Sequence, residues 1–366
     1  MFFHGEDSVT DNLSPYIDAA PREEQKYFLA TQQVDEARHA VFFGRFMKEV
    51  VHRGEDIGSS LTATYPELTW GFRKTFEYLD KQADSLRKDR SIPNLAASIT
   101  LYHLVVEAAL AQPGQHFIES YLEERGILPG FRSGMENVSK DEQRHIGFGV
   151  KMLSDLVKMD PDSKAAVADL LREVSKLTVG VFVPPGWDER YVSCFGSTIE
   201  EVYTQGMVSL ESKLRAAGLP PEELPGPPPF PWDIPCEERA RRAVLLLKAG
   251  VLGEKLGPPS RDPQTIELLM DTVKRTADLS AMPNGAFTVQ WDFKDADPWY
   301  VRIDNGTSEA RPGTVEQADV AIRCRFEDWA DIAAGREDPR LAFLKGKVRP
   351  KGSVRSLLAM RKLFAA

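Results

Sequence analysis

The sequence predicts a mainly α N-terminal helical bundle joined to a small C-terminal α/β (α+β) domain. Long stretches almost free of helix breakers fill the N-terminal part. Residues 219–235, LPPEELPGPPPFPWDIP, carry eight prolines and read as a stiff, extended connector. Strand-like alternation at period two appears only beyond that connector.

Glu23–Val51 has no proline and only one glycine, Gly44, and Asn94–Ala111 and Glu136–Val157 have the same helical character. After the connector, Cys236–Leu256 reads as one helix with a charged and an apolar side. Phe287–Phe293, Trp299–Ile303 and Val320–Cys324 alternate as strands, with helical segments around them. The expected layout is a bundle over residues 1–218, a Pro-rich connector and linking helix over 219–261, and the α/β domain over 262–366.

Composition removes several classes. A length of 366 residues suggests two domains at roughly 150 residues each. The net charge of −9 argues against broad nucleic-acid binding, which uses a basic face. Residues 262–366 carry 16 acidic and 16 basic side chains, so the negative charge belongs to residues 1–261. No apolar run approaches the roughly 20 residues of a membrane span, and Met1–Asp7 lacks a signal-peptide pattern. The isolated Cys194, Cys236 and Cys324 fit a reducing cytoplasm better than a disulfide scaffold or a Cys-based zinc site. Lys345–Ala366 holds seven basic residues and no acid. A solvated face is the ordinary reading of that run, with attraction to anionic headgroups or an acidic carrier as the alternative.

The chemistry lies in two repeats of one pattern, Asp35-Glu36-Ala37-Arg38-His39 and Asp141-Glu142-Gln143-Arg144-His145. On a helix, positions i and i+3 share a face, so each Glu-x-x-His presents a carboxylate and an imidazole together. A dinuclear carboxylate bundle needs two such pairs and one Glu from each of two further helices. Glu107, inside an apolar helix, is costly unless paired or bound to a cation. Glu6 sits among Phe2, Phe3 and His4. The order is then Glu, Glu-x-x-His, Glu, Glu-x-x-His. One such pair is a common accident on a solvated helix, but two with the intervening Glu point to a metal centre. In a dinuclear centre Glu36 and Glu142 would bridge or shift between the metals, and the two histidines would anchor one metal each. Asp35, Arg38, Asp141 and Arg144 read either as orienting partners of the ligands or as exposed ion pairs. His4, two residues before Glu6, and His103, four before Glu107, are within reach of a metal but read first as hydrogen-bonded neighbours, and His52 and His116 read as structural or exposed.

At these residues the chain resembles the ferritin-like superfamily, and more closely the ligand-binding oxidases related to the ribonucleotide reductase small subunit, over roughly residues 1–210. The resemblance implies a manganese–iron or di-iron centre held by Glu6, Glu36, His39, Glu107, Glu142 and His145, with a long-chain fatty acid beside it. It also implies homodimers and a tyrosine–valine ether cross-link made when the centre activates dioxygen, here between Tyr102 and Val9. The family has tens of residues before its first ligand and this chain has five, so a missing N-terminal helix and a frayed first turn at Glu6 are expected. The C-terminal part resembles the sterol-carrier-protein-2-like lipid-binding domains through Trp291-Asp292-Phe293, Trp299-Tyr300-Val301, Phe326–Trp329, Gly335–Pro339 and Leu344–Lys347. That likeness implies an apolar tunnel for acyl chains or sterols. Trp291, Phe293, Trp299 and Phe326 are in any case core residues.

The expected protein is thus a ferritin-like bundle with an appended lipid-carrier-like domain. Its expected activity is that of a cytoplasmic oxidoreductase turning dioxygen on a lipid-like substrate. Two other readings are a metal- and lipid-binding protein without turnover and a radical-generating ribonucleotide reductase small subunit. A folded segment in place of a flexible docking tail disfavours the latter.

Overall fold

The computed structural model describes residues 1–225, 230–282 and 285–364. Residues 226–229 of the proline-rich connector lie outside these. The chain divides into two compact units, Met1–Leu170 with Val181–Glu223, and Leu171–Gly180 with Leu224–Ala366.

The first unit is helical. Its elements are α1 (Phe2–Asn12), α2 (Ser14–Ala19), α3 (Glu23–Phe46), α4 (Ile57–Thr64) and α5 (Trp70–Lys88), followed by α6 (Ile92–Ile99), α7 (Gln112–Arg125) and α8 (Pro129–Met159). Next come α9 (Ser163–Thr178), which runs on past residue 170, α10 (Arg190–Ser193) and α11 (Ile199–Ala216). The helices that form the core bury one stripe each. Along α3 the buried positions include Leu29, Gln32, Glu36, His39 and Phe43; along α8 they include Met135, Val138, Glu142, His145, Gly149 and Met152. These are spacings of three and four residues, the inward face of a helix. Carboxylates and imidazoles therefore occupy positions that ordinarily hold leucine.

Between α6 and α7 the backbone continues as a π-helical stretch, Thr100–Ala111, and the Gln112 N–H reaches the Glu107 carbonyl five residues back. Wider turns of this kind are rare and frequently sit at functional sites. Together the three pieces form the run Ile92–Arg125, which is long and apolar enough by composition to cross a bilayer. The sequence reading found no such run, because Pro93, Pro113 and scattered polar residues interrupt it. Its apolar window is mostly buried inside the protein, as a core helix should be.

The expected fraying at Glu6 is not observed. Phe3 packs in a buried cluster with Phe43 and Met135, and Phe3, Glu6 and Val9 all face inward from α1. Packing of that helix on α3, not its own propensity, holds the first turn.

The second unit holds α12 (Cys236–Lys248), α13 (Pro263–Arg275), β1 (Phe287–Phe293), β2 (Trp299–Asp304), β3 (Thr307–Pro312) and β4 (Val320–Cys324), then α14 (Phe326–Ala333), α15 (Pro339–Leu344), β5 (Arg349–Gly352) and α16 (Val354–Leu363). The sheet order is β3-β2-β1-β4-β5, with β1 and β4 parallel and the other pairs antiparallel. Register pairs Val289 with Val301 and Trp291 with Ile322, which puts Trp291 in the centre of the core. Phe293, Trp299 and Phe326 are buried with it.

The helix expected over Cys236–Leu256 stops at Lys248, and Gly250 turns the chain with φ +71°. The carbonyls of Gly250 and Gly253 each accept from the Arg336 guanidinium at 3.1 Å, and Arg336 is itself paired with buried Asp331. A distant arginine thus satisfies backbone groups that a longer helix would have paired internally. In the basic C-terminal run, Lys345 and Lys347 both pair with Glu337.

Candidate metal centre

Four elements deliver the six residues singled out by the motif. Helix α1 supplies Glu6, α3 supplies Glu36 and His39, the π-helical stretch supplies Glu107, and α8 supplies Glu142 and His145. All six are buried. Their donor atoms fall into two groups, Glu6–Glu36–His39–Glu142 and Glu36–Glu107–Glu142–His145, each with its atoms within 4.8 Å of one another. Glu36 and Glu142 belong to both groups. Two neighbouring positions sharing two carboxylates is the geometry of a bridged pair of cations.

The imidazoles face inward through Nδ1. His39 Nδ1 lies 3.3 Å from Glu6, 3.5 Å from Glu36 and 3.4 Å from Glu142. His145 Nδ1 lies 3.1 Å from a Glu36 oxygen yet makes no aligned hydrogen bond. Glu107 Oε2 is buried and unpaired as well. Orphaned acceptor positions converging on one point fit a cation better than a hydrogen bond. Hard oxygen donors with one imidazole per position suit manganese or iron.

The outward ring nitrogens make a crossed pair. His39 Nε2 donates to Asp141 at 3.2 Å and His145 Nε2 to Asp35 at 3.4 Å, so each motif's aspartate holds the other motif's histidine. Arg144 hydrogen-bonds both aspartates, and Arg38 pairs with Asp35. Both arginines are exposed. The aspartates fix the tautomer that leaves Nδ1 free to ligate.

Protonation in the metal-free state follows from burial and pairing. Burial pushes the carboxyls of Glu6 and Glu107 well above the ordinary range, reinforced by neighbouring carboxylates. Burial also works on Glu36, but the imidazoles of His145 and His39 that face it outweigh burial and hold that group below the usual range. Burial opposes charge on the imidazoles too, yet their carboxylate partners raise His39 strongly and lift His145 to about 11. Protons take the place that cations can fill.

Beside the acids, the Tyr102 hydroxyl donates to Glu36 at 2.7 Å and accepts from the Gln32 amide at 2.9 Å. Gln32 Nε2 also lies 2.9 Å from Glu107 Oε1. Its carbonyl accepts from His103 Nε2 at 3.1 Å, and burial keeps His103 neutral by lowering its pKa to about 3. An added Cβ at Gly149 would meet His103 at 2.3 Å, so α8 must carry glycine there. The Glu-x-x-His pattern does not include Gln32, although its place four residues before Glu36 on one stripe is a usable signal in the sequence. His4 turns away from the centre to Thr64, 2.8 Å distant. His52 ends the α3 segment with φ 58° and His116 is exposed.

Val9 and Tyr102 line one cavity of about 450 Å³ together with Glu6, Glu36, Glu107 and Glu142. Its remaining wall is mostly apolar, with Phe72, Phe76, Val106, Leu110, Phe182 and Val202 among its residues. Among the described residues no lysine or arginine lines it.

The helical bundle has the fold of the R2-like ligand-binding oxidases. One single-site variant of such an oxidase, with an aerobically reconstituted Mn/Fe cofactor, matches at TM-score 0.51 and 20% identity over 59% of this chain and 77% of that one. The anaerobically reconstituted form matches at TM-score 0.50 and 22% identity, over 59% and 76%. The Sulfolobus acidocaldarius R2-like ligand-binding oxidase is 24% identical, at TM-score 0.48 over 61% and 77%. In the other unit, residues 267–365 match the SCP-2 sterol transfer family.

The raised groups set a pH dependence for the metal-free protein. With a folded pKa near 11 against roughly 6.5 unfolded, the His145 contribution is complete below about pH 6.5 and is lost as pH rises through 11. Raised Glu6 and Glu107 act in the same direction. The metal-free melting temperature should fall from pH 7 toward 11, and His145→Gln should flatten that slope. Thermal scans of both proteins across this range check it.

Proposed function

We propose that the N-terminal unit is a dinuclear metal oxidase, loaded with manganese and iron or with two irons, that activates dioxygen beside a long-chain fatty acid or similar lipid. The observation that carries this reading is the sharing of Glu36 and Glu142 between two buried donor groups. Glu6 and His39 complete one position, and Glu107 and His145 the other. When bound, the metal pair supplies the redox chemistry that reduces dioxygen.

The chain's own residues do the rest. Asp35 and Asp141 hold the two imidazoles in the ligating tautomer. The apolar wall excludes water from the acids and offers room for an acyl chain. Among the described residues no lysine or arginine lines that cavity, so the metals are the strongest positive charge a lipid carboxylate meets there. The match to the SCP-2 sterol transfer family supports lipid binding by residues 262–366, a store or delivery module for the same class of molecule. Loss of Glu107 removes one carboxylate from the second position. We expect the intact protein to hold two metals per chain, consume dioxygen when reduced and carry lipid. Glu107→Ala should hold at most one metal and consume none. Metal analysis, oxygen uptake and mass spectrometry of extracted lipid test this, and oxygen uptake separates it from a binding protein without turnover.

We further propose the ether cross-link between the Tyr102 oxygen and a Val9 side-chain carbon. Both residues line the cavity beside the acids, and the Tyr102 hydroxyl proton already points at Glu36. One O–H and one C–H bond break, a C–O bond forms, and two electrons and two protons pass to dioxygen. Peptide mapping after aerobic metal loading should show the two peptides joined and lighter by two hydrogens, with an anaerobic sample unlinked.

The resemblance also implies a homodimer, and α3 offers it a surface. Tyr27, Val34 and Val41 repeat every seven residues and are all exposed on the described chain. Sedimentation should show a dimer that Val34→Lys converts to monomer.

A further inference from the structure

A second cavity, of about 330 Å³, reaches one of these acids, Glu142, from elsewhere in the first unit. Its character is opposite to that of the first. Gln112, His116, Glu119, Ser139, Gln143, Gln205 and Ser209 supply most of its lining, with Gln115 and Glu142 at one end. Gln115 and Glu142 line the apolar cavity too. The two spaces are therefore separated at that point by two side chains.

The partition carries an unsatisfied group. Gln115 is 3% exposed, and its amide nitrogen is buried without any hydrogen-bond partner. A buried donor left unpaired costs on the order of 1–3 kcal/mol, and in a polar space the usual remedy is an ordered water. The inner end of the polar cavity is thus built to hold water against Glu142. At the outer end His116, Gln143 and Gln205 are exposed, and Ser139 donates to the half-buried Glu119. Among the described residues no lysine or arginine lines the space, and the carboxylates lining it are Glu119 and Glu142.

We propose that this polar cavity is the entry route by which hydrated divalent cations reach Glu142, separate from the apolar cavity used by lipid. It rests on the metal reading above. Short of the acids themselves, a hydrated dication entering the apolar cavity meets mostly carbon, whereas amide, hydroxyl and carboxylate oxygens along the polar cavity substitute for lost water one at a time. The carboxylate at Glu119 and the lack of basic residues draw cations inward. Glu142, shared by both donor groups, is the first ligand met and can pass an ion to either position. Separate entries also let a bound lipid stay in place while metal is loaded.

Stopped-flow uptake of Co²⁺ by the full-length, metal-free protein tests this, read by the visible absorption of the bound ion. Gln205→Trp plugs the polar mouth at an exposed position, and Glu119→Gln removes its charge. Val192→Trp narrows the apolar cavity instead. The expected result is uptake about tenfold slower in Gln205→Trp and Glu119→Gln, with the final Co²⁺ stoichiometry unchanged and Val192→Trp at the wild-type rate. Equal rates in all four proteins, or slowing confined to Val192→Trp, overturn the route while leaving the metal centre standing. A wild-type chain that takes up no Co²⁺ overturns the metal centre and the route together.

Discussion

Four carboxylates and two imidazoles buried at one point are the constraint on which the helical unit depends. Isolated charges in such surroundings cost many kcal/mol, so the site must share protons or hold cations. In the metal-free state it shares protons. Glu6 and Glu107 retain theirs, Glu36 gives its proton up and stays ionised beside the flanking imidazoles, and both histidines stay protonated far above their ordinary range. Cations that displace those protons gain a charge-balanced shell, which couples metal binding to proton release and to stability.

The surrounding architecture serves that one arrangement. Helices α3 and α8 present the same five-residue pattern to each other, so a carboxylate and an imidazole from each converge while their aspartates cross over. The widened turns of Thr100–Ala111 carry Glu107 and Tyr102 into the same space. Gln32 then ties three of the groups together, with His103 fixing which way its amide faces. Only the glycine at 149 leaves room for that histidine. A single methyl group in this packing reaches the centre through two contacts.

The other unit solves a different problem with ordinary means. A five-stranded sheet with Trp291 at its centre forms its core, and buried Arg336 and Asp331 fasten the turn after α12. Nothing in it resembles a catalytic cluster among the described residues.

The amino-acid order alone determined the helical class, the sheet-bearing C-terminal unit and the six residues that converge. Those are one-dimensional properties: a stripe at spacings of three and four places Glu36 and His39, or Glu142 and His145, on one face wherever the helix goes. Strands β1, β2 and β4 were legible for the same reason, since buried central strands alternate. Edge strands β3 and β5 were not, because Thr307–Pro312 and Arg349–Gly352 are largely solvated and carry no alternation. The end of α12 at Lys248 was equally hidden, being decided by an arginine 88 residues later in the chain. Tertiary structure alone decided the exchange of aspartates between the two motifs, the bracket of Gln32 and His103, and the meeting of two cavities at Gln115 and Glu142. Each depends on which helix faces which and at what distance, and spacing along one helix contains no information about its neighbour.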